Sequence, residues 1–385
     1  MSKKSPQLRF EGFTDDWEQR KFADFIDVKS GKDYKHLNSG PIPVYGTGGY
    51  MLSVDRALSD IDAIGIGRKG TIDKPYLLKA PFWTVDTLFY AVPKQNIDLQ
   101  FSLSIFKKIN WKKFDESTGV PSLSKTVINS VGAFVPSYEE QQKIGSFFKQ
   151  LDDTIALHQR KLDLLKEQKK GFLQKMFPKH GEKVPELRFA GFADDWEERK
   201  LSSGLREYTD RVIVEDDKEY YQISVRNNFG GITLRGSKMG NKIGRKRQAK
   251  INLTKYPQTL IFTRQTVEQG GIGWVDKYCD GAIVTENMPT ISLDTSVFSK
   301  YFLTNLFQTR IFYKNAILDN IEGGSAQIAI HESKFLSSTL LFPNLDEQEK
   351  IGQFFKQLDD TIDLHQRKLD LLKEQKKGFL QKMFI

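Results

Sequence analysis

The strongest constraint on the fold is a 35-residue segment that occurs twice. Residues 143–177 read KIGSFFKQLDDTIALHQRKLDLLKEQKKGFLQKMF, and residues 350–384 repeat 33 of those 35 positions at an offset of 207. In the first copy, mostly apolar residues recur at alternating steps of four and three and so share one helix face. This is the a/d heptad pattern of a helix packed along another helix. The positions on this face are Ile144, Phe148, Leu151, Ile155, His158, Leu162, Leu165, Lys169, Phe172 and Met176.

Both copies carry the start signals of a helix. S-Y-E-E (residues 137–140) follows Pro136, and N-L-D-E (residues 344–347) follows Pro343, which predicts a capping box in each case. Each helix should therefore cover about 40 residues, or about 60 Å. Gly145 and Gly171 lie near the ends of the first helix, where glycine costs least.

Two near-identical helices in one chain most simply pack on each other. His158 and His365 then lie in the seam between them. A polar residue in such a seam more often fixes the register than binds a metal, and no other metal ligands cluster with these histidines.

A second repeat has a different offset. LRFEGFTDDWEQRK (residues 8–21) returns as LRFAGFADDWEERK (residues 187–200), with 11 of 14 positions identical and an offset of 179. We call these the frame segments. Because the two offsets differ by 28, the stretches between the repeats differ in length, and their sequences show little resemblance. We expect the leucine and aromatic residues of each frame segment to pin the following stretch to the helix ends, with the acidic residues solvated.

The order of the repeats predicts the architecture. If each variable stretch stays near its helix ends, the helices are antiparallel and the end of the second helix returns to the start of the chain. We predict an α+β protein with two globular α/β domains, two long antiparallel coiled-coil helices and a pseudo-twofold internal repeat. The predicted boundaries are 1–21 (N-terminal frame segment), 22–138 (first block), 139–177 (central helix), 178–200 (linker and second frame segment), 201–345 (second block) and 346–385 (C-terminal helix).

Composition excludes several classes of protein. Cys279 is the only cysteine, which excludes an internal disulfide or a cysteine-built zinc site, and we expect a buried thiol. No apolar run approaches the ~18 residues of a membrane span, and the N-terminus lacks a secretory signal, so we expect a cytoplasmic protein without membrane contact. The net charge of +9 suits a polyanionic partner.

The second block holds a long basic run. Residues 220–267 contain ten Lys or Arg and no Asp or Glu, and seven of the ten lie in RGSKMGNKIGRKRQAK. Its glycines suggest a mobile or closely approaching loop. The cations expected to meet phosphates there are Arg235, Lys238, Lys242, Arg245, Lys246 and Arg247. Five neighbours have side chains suited to reading purine edges, namely Arg226, Asn227, Asn228, Arg264 and Gln265.

Other chemistry is not signalled. The chain has no G-x-x-x-x-G-K-[ST] phosphate loop and no H-E-x-x-H metal motif. D-K-P-Y at Asp73 differs from the D-P-P-Y motif of amino-methyltransferases. In the first block, SGKDYKH, VYGTGGY and GRKGT are loops rich in Gly, Tyr and Lys, a pattern that ordinary turns share.

With these features in place, the chain closely resembles the specificity subunits of type I restriction-modification enzymes. The resemblance covers essentially the whole chain. It is carried by EEQQKIGSFFKQLDDTI and DEQEKIGQFFKQLDDTI, each after a proline, and by IPVYGTGGY, IGRKGTI, PFWTVDTLFY and GAIVTENMPTIS. It implies that the blocks are target recognition domains that each read one half of a split, asymmetric DNA site.

The resemblance also implies partners and contact loops. Two modification subunits, which use S-adenosylmethionine, and restriction subunits, which use ATP and Mg, would assemble on the helices, and this chain itself would hold no cofactor, no metal and no catalytic residue. Double-stranded DNA would be bound by loops of the first block that carry Lys32, Tyr34, Lys35, Tyr45, Gly46, Thr47, Gly48, Arg68, Lys69 and Thr71.

Two alternative functions stay open from sequence. One is a coiled-coil scaffold that does not bind DNA, for which the basic run is awkward. The other is the specificity part of a fused restriction enzyme with an unrecognised nuclease site, which Mg²⁺-dependent cleavage by the pure chain would reveal.

Overall fold

The computed structural model describes residues 5–179, 181–244, 247–320 and 329–385, with only the backbone of Arg247. Within them the α-helices are α1 (Phe22–Phe25), α2 (Leu99–Lys108), α3 (Lys125–Ser130), α4 (Tyr138–Lys175), α5 (Lys300–Leu306), α6 (Arg310–Phe312), α7 (Glu332–Ser337) and α8 (Leu345–Lys382). A π-helical turn, Tyr313–Ile317, continues α6. Short 3₁₀ turns are Trp111–Phe114, Leu201–Ser203, Gly240–Lys242, Val267–Gln269, Lys277–Cys279 and Leu318–Asn320.

The strands up to α4 are β1 (Glu18–Lys21), β2 (Ile26–Ser30), β3 (Ser39–Gly46), β4 (Gly49–Val54), β5 (Ala63–Gly67), β6 (Tyr76–Leu78), β7 (Trp83–Thr84), β8 (Leu88–Pro93) and β9 (Gly132–Val135). Those after α4 are β10 (Glu197–Lys200), β11 (Leu205–Tyr208), β12 (Asp210–Ile213), β13 (Glu219–Val225), β14 (Ile232–Met239), β15 (Arg247–Lys250), β16 (Thr259–Phe262), β17 (Ile272–Trp274), β18 (Ile283–Val284), β19 (Thr290–Leu293) and β20 (Thr339–Phe342).

The chain divides into two compact units. Unit 1 comprises Met1–Lys161 and His365–Ile385, and unit 2 comprises Leu162–Leu364. Each unit therefore holds one variable block together with one part of α4 and one part of α8. Each unit also has its own large buried apolar core.

In unit 1 the two long helices pack in antiparallel fashion. The ring of Phe147 meets that of Phe379 edge-on at 5.0 Å, and Asp152 accepts a hydrogen bond from Lys376. His158 and His365 approach with their Nδ1 atoms 3.1 Å apart, so one ring donates to the other. Residue numbers rise along one helix as they fall along the other. The predicted antiparallel packing and the position of both histidines in the seam are confirmed within this unit.

Unit 2 contains the equivalent contacts from the other half of each helix. Phe172 meets Phe354 edge-on at 4.9 Å, and Lys169 lies 2.7 Å from Asp359. Asp359 corresponds to Asp152 at the repeat offset of 207. The same apolar and ionic contacts thus recur because the same sequence recurs.

The frame segments attach to the start of the long helices. Arg9 donates to both carboxylate oxygens of Glu140 at 2.7 and 2.8 Å, and Arg188 makes the same pair of bonds to Glu347 at 2.7 Å each. Both glutamates are buried. The expected capping boxes are therefore only half present: Ser137 and Asn344 accept the backbone N–H three residues on, but the glutamate carboxylates bind arginine instead.

Aromatic residues complete the attachment. Trp17 is buried against Phe101 and Phe384, while Asp15 and Asp16 are exposed, as predicted. Leu8 remains partly exposed, but its N–H donates to the carbonyl of Lys382 at 2.8 Å. In unit 1 the first frame segment and the end of α8 are therefore neighbours.

A close approach joins each block to its helix. The buried Gln141 accepts from the N–H of Asp98, the residue that caps α2. A Cβ on Gly145 would lie 2.2 Å from Asp98 Oδ1 and 2.8 Å from the nitrogen of Phe101. Glycine is required here because α2 begins against the backbone of α4. Unit 2 repeats this junction, and a Cβ on Gly352 would lie 2.8 Å from the nitrogen of Phe302.

The two blocks share a topology that their sequences do not suggest. An antiparallel sheet has the order β2-β8-β5-β6 in the first block and β11-β19-β16-β17 in the second. Each block also has a hairpin whose first strand pairs in parallel with a third strand. These are β3-β4 with β7 in the first block and β13-β14 with β18 in the second. The second block adds β12 and β15 to this sheet, and these strands form part of its extra length. Cys279 is buried in the second block, as predicted.

Candidate nucleic-acid interface

In the first block, residues 84–88, which run from the last residue of β7 to the first residue of β8, connect the predicted contact loops. We call this segment the hub loop. The N–H of Lys32 donates to Thr84 at 2.8 Å, and those of Arg68 and Lys69 donate to Thr87 at 2.8 and 3.2 Å. The N–H of Val85 in turn donates to the carbonyl of Tyr45 at 3.0 Å. Three loops that are far apart in sequence are thereby fixed around one segment.

The β3–β4 turn lies beside the loop that follows β5. A Cβ on Gly70 would come within 3.6 Å of Thr47 Oγ1. The carbonyl of Gly46 accepts from the hydroxyl of Tyr76 at 2.6 Å, which holds the turn against β6. Gly49 has φ of +107°, a left-handed conformation that favours glycine.

Exposure separates the ten predicted residues of the first block. Five are exposed: Lys32, Lys35, Gly48, Arg68 and Lys69. Four are partly buried: Tyr34, Tyr45, Thr47 and Thr71. Gly46 is buried, and a Cβ there would lie 2.7 Å from the sulfur of Met51, so its role is to allow packing of the turn.

Sequence reasoning missed two exposed residues of this turn and the hub loop itself. Tyr50 is 63% exposed and Met51 is 49% exposed, and both follow directly on the predicted glycines. The run of turn-forming glycines before Tyr50 was the available signal. No local pattern identifies residues 84–88 as a meeting point, because their bonds are to distant segments.

In the second block, the β13–β14 turn meets the loop after β16. Asn227 Nδ2 donates to Gln269 Oε1 at 2.7 Å, and the N–H of Asn228 donates to the carbonyl of the same residue at 2.7 Å. Asn228 and Phe229 have φ of 53° and 55°. Arg226, Asn227 and Asn228 are exposed as a group, and Phe229 and Gln269 join them as residues that sequence reasoning missed.

Arg264 and Gln265 differ in their surroundings although they are adjacent. Gln265 is exposed. The Nε and Nη2 atoms of Arg264 lie 2.9 and 2.5 Å from Glu332 Oε2, in a partly buried ion pair. Burial raises the pKa of the nearby Glu207, and the negative charge of Glu332 raises it further. The guanidinium edge that was predicted to read purines is therefore engaged with a carboxylate.

The described part of the basic run has more regular structure than the mobile or closely approaching loop that was predicted. Arg235 lies at a bulge of β14, Lys238 lies further along the same strand, and Lys242 ends a 3₁₀ turn; all three are exposed. Arg247 begins β15, opposite Ile213. Arg245 and Lys246 lie outside the described residues.

The fold also brings acidic residues against the turn in the middle of the basic run. The N–H groups of Gly240 and Asn241 donate to the carbonyls of Lys218 and Asp216, so the turn that carries Lys242 rests on the exposed segment E-D-D-K-E (residues 215–219). Lys238 pairs in register with Tyr220, at the end of the hairpin remote from Arg226. The hairpin therefore does not bring Lys238 and Lys242 to the exposed turn at residues 226–231.

The described part of the chain shows neither a metal-binding cluster nor a helix able to span a membrane. Residues 5–179, 181–244, 247–320 and 329–385 hold no cluster of three or more histidine, cysteine or acidic side chains arranged to bind a metal. Across the same ranges, none of the helices combines the length and apolar character needed to cross a bilayer.

Comparison with known proteins gives a consistent result. The family model described as type I restriction modification DNA specificity domain matches residues 14–167 and again residues 194–374. The type I restriction enzyme MjaVIII specificity subunit of Methanocaldococcus jannaschii is 23% identical over 339 residues, which span 84% of this chain and 75% of the relative.

Solved structures show the same fold. The S subunit of a type I restriction-modification system from M. genitalium superposes with a TM-score of 0.68 over 99% of both chains, at 13% identity. A chain from a study of complex assembly and conformational transition in the type I system matches with a TM-score of 0.51 at 12% identity, over 95% of this chain and 97% of that one.

Proposed function

Because this chain belongs to the family of the type I restriction modification DNA specificity domain, we propose that it is the subunit that selects the DNA sequence for a type I restriction-modification complex. The observation that carries this proposal is the double family match, since residues 14–167 and 194–374 each contain one block and most of one long helix. Each block would read one half of a bipartite target. The half-sites would differ because the two blocks carry different side chains.

The shared topology supports this division of labour. In both blocks the turn of a two-stranded hairpin lies against the loop that follows a central strand. The first block presents Lys32, Lys35, Arg68 and Lys69 around its hub loop, and the second presents Arg226, Asn227, Asn228 and Gln265. Arginine and lysine suit phosphates and guanine, and asparagine and glutamine suit adenine. The same scaffold with different polar side chains is what two different half-sites require.

The long helices offer surfaces for the other subunits. In unit 1, Leu157 and Leu371 are more than half exposed, and in unit 2 the same holds for Leu164 and Leu364. Repeated exposed leucines on a helix favour a helical partner. We assign these surfaces to two modification subunits, with restriction subunits joining the same complex.

Catalysis would belong to those partners. The modification subunits would supply S-adenosylmethionine chemistry on adenine, and the restriction subunits would use ATP and Mg. This chain would contribute binding and orientation only. The family match favours this assignment over a scaffold that does not bind DNA and over a fused restriction enzyme.

Methylation mapping tests the proposal. Cells that carry this chain with its modification subunits should methylate one bipartite adenine motif genome-wide, and cells that lack only this chain should not. Replacing residues 201–345 with the second block of another family member should change one half of the motif. The unmodified chain, expressed identically, is the control. Methylation that persists without this chain, or a block replacement that changes both halves, would contradict the proposal.

A further inference from the structure

Arg68 and Arg264 occupy the same place in the two blocks. Each lies just after a central strand: Arg68 is the first residue after β5, and Arg264 is the second residue after β16. The N–H of Arg68 donates to the carbonyl of Thr87 at 2.8 Å, and the N–H of Arg264 donates to that of Asn287 at 3.0 Å. Thr87 lies just before β8 and Asn287 just before β19, which are the equivalent strands of the two antiparallel sheets. The two backbones are thus held in the same way.

A second pair of bonds confirms the equivalence. The carbonyl of Arg68 accepts from the N–H of Leu123 at 2.9 Å, and that of Arg264 accepts from Ile330 at 3.0 Å. Leu123 and Ile330 are two residues before the short helices α3 and α7 respectively, and are related by the repeat offset of 207. Two arginines therefore stand at one topological position although the blocks align poorly in sequence.

The strand register and the first residues of α3 and α7 show which equivalent positions carry different residues in the two blocks. Ala91 pairs with both Val28 and Ile64, and Ile291 pairs with both Glu207 and Leu260, so Val28 of the first block stands where Glu207 stands in the second. The first residue of α3 is Lys125, whereas the first residue of α7 is Glu332. The two positions that carry carboxylates in the second block therefore carry an apolar residue and a lysine in the first.

The side chains of the two arginines have correspondingly different contacts. Arg264 is partly buried, and two of its nitrogens bind Glu332 Oε2. Arg68 is exposed, donates from Nη1 to the carbonyl of Asp86 at 3.3 Å, and lies 5.9 Å from the ring centre of Phe89. Among the described residues, no carboxylate lies within ion-pair distance of Arg68. Its full positive charge is therefore available at the surface where the contact loops of the first block meet.

We infer that Arg68 contacts a base and determines specificity in the first half-site, whereas Arg264 is a positioning residue that holds α7 and the loop carrying Gln265 through Glu332. This inference rests on the proposed function. An arginine fork with no carboxylate partner can bind O6 and N7 of guanine. Arg264 can bind guanine in this way only if its ion pair with Glu332 breaks. Breaking a partly buried ion pair leaves the carboxylate of Glu332 uncompensated, with Glu207 nearby.

The assembled modification complex tests the role of Arg68. With the cognate duplex, Arg68→Ala should weaken binding roughly 5- to 150-fold and relax the methylated motif at one position of one half-site. Arg68→Lys should relax the same position, because an ammonium cannot form the two-pronged contact. Arg56→Ala is the matched control: it removes one exposed arginine from the same block, in the segment after β4, and should keep the motif and affinity. Unchanged affinity for Arg68→Ala, or weaker binding with an unchanged motif, would overturn the inference.

The role of Arg264 is tested without DNA. Arg264→Ala and Glu332→Gln should each lower the midpoint of thermal unfolding of the full chain, and the double variant should lose less than the sum of the two, because the residues act as one pair. Arg264→Lys should restore the midpoint and keep the second half-site of the motif, unlike the corresponding change at Arg68. An unaltered midpoint for Arg264→Ala would refute the positioning role. A wild-type complex that selects no sequence would refute the proposed function and the role of Arg68, while the unfolding data would still decide that of Arg264.

Discussion

Two glycines of one unit should respond to alanine in opposite directions. Gly145 of α4 and Gly378 of α8 both lie within helices of unit 1. Helix propensity alone predicts that alanine stabilises each site by up to about 1 kcal/mol. A Cβ on Gly378 has no heavy atom within 4 Å, whereas a Cβ on Gly145 would lie 2.2 Å from Asp98 Oδ1.

The cost at Gly145 follows from what the Cβ would displace. Asp98 Oδ1 caps α2 by accepting from the N–H of Phe101 at 2.7 Å, and losing such a cap costs about 0.5–2 kcal/mol. Overpacking against the Phe101 nitrogen adds about 1–3 kcal/mol. After the gain in propensity, Gly145→Ala should lower the free energy of unfolding by about 0.5–4 kcal/mol. At about 2–4 °C per kcal/mol for a domain of this size, the shift is measurable.

Thermal unfolding of the four single variants is the assay. Gly145→Ala and Gly352→Ala, the junction glycines of the two units, should lower the unfolding midpoint, and Gly171→Ala and Gly378→Ala, which have open space at Cβ, should hold or raise it. Hydrogen exchange should show faster opening of α2 in Gly145→Ala, because its cap is lost. If Gly145→Ala and Gly378→Ala shifted the midpoint equally and in the same direction, the close-approach argument would be refuted.

Two further predictions follow from the contacts of unit 1. Arg9→Ala should destabilise the chain by about 3–5 kcal/mol, because it leaves the buried Glu140 charge unpaired. The control is Arg20→Ala, which removes an exposed ion pair with Glu18 and should change the stability by less than about 1 kcal/mol. Equal unfolding midpoints for the two variants would contradict the argument. Burial first, and then the charges of Lys368 and His365, lower the pKa of His158 from 6.5. The unfolded chain therefore binds the proton more readily, so unfolding free energy should fall as the pH drops through about 6.5 and level off below the folded pKa. His158→Gln should flatten this dependence in denaturant titrations at several pH values, and an unchanged pH profile in that variant would count against it.

Much of the frame could be predicted from sequence, because its signals are local and occur twice. A heptad stripe specifies which face of α4 is buried regardless of what covers it, and the near-identity of the second copy identifies α8 as its partner. The burial of Trp17 and the exposure of Asp15 and Asp16 follow from their own polarity. Gly145 marks the limit of this reasoning: sequence assigns it a low cost near a helix end, whereas the structure shows that the cap of α2 occupies the space its Cβ would fill.

Only the tertiary structure decided how the blocks are built and which polar side chains are available. The common sheet order of the two blocks depends on pairing between strands such as β2 and β8, which no local pattern encodes. Arg264 and Glu332 are 68 residues apart, and the turn at residues 240–242, inside the acid-free run, comes to lie against the acidic segment at residues 215–219 only when the chain folds. Periodicity reports the face that a helix or strand buries. The partner of a charged side chain depends on which distant segments the fold brings together, and that is why, of two arginines at one position of a shared topology, Arg264 forms an ion pair and Arg68 is exposed.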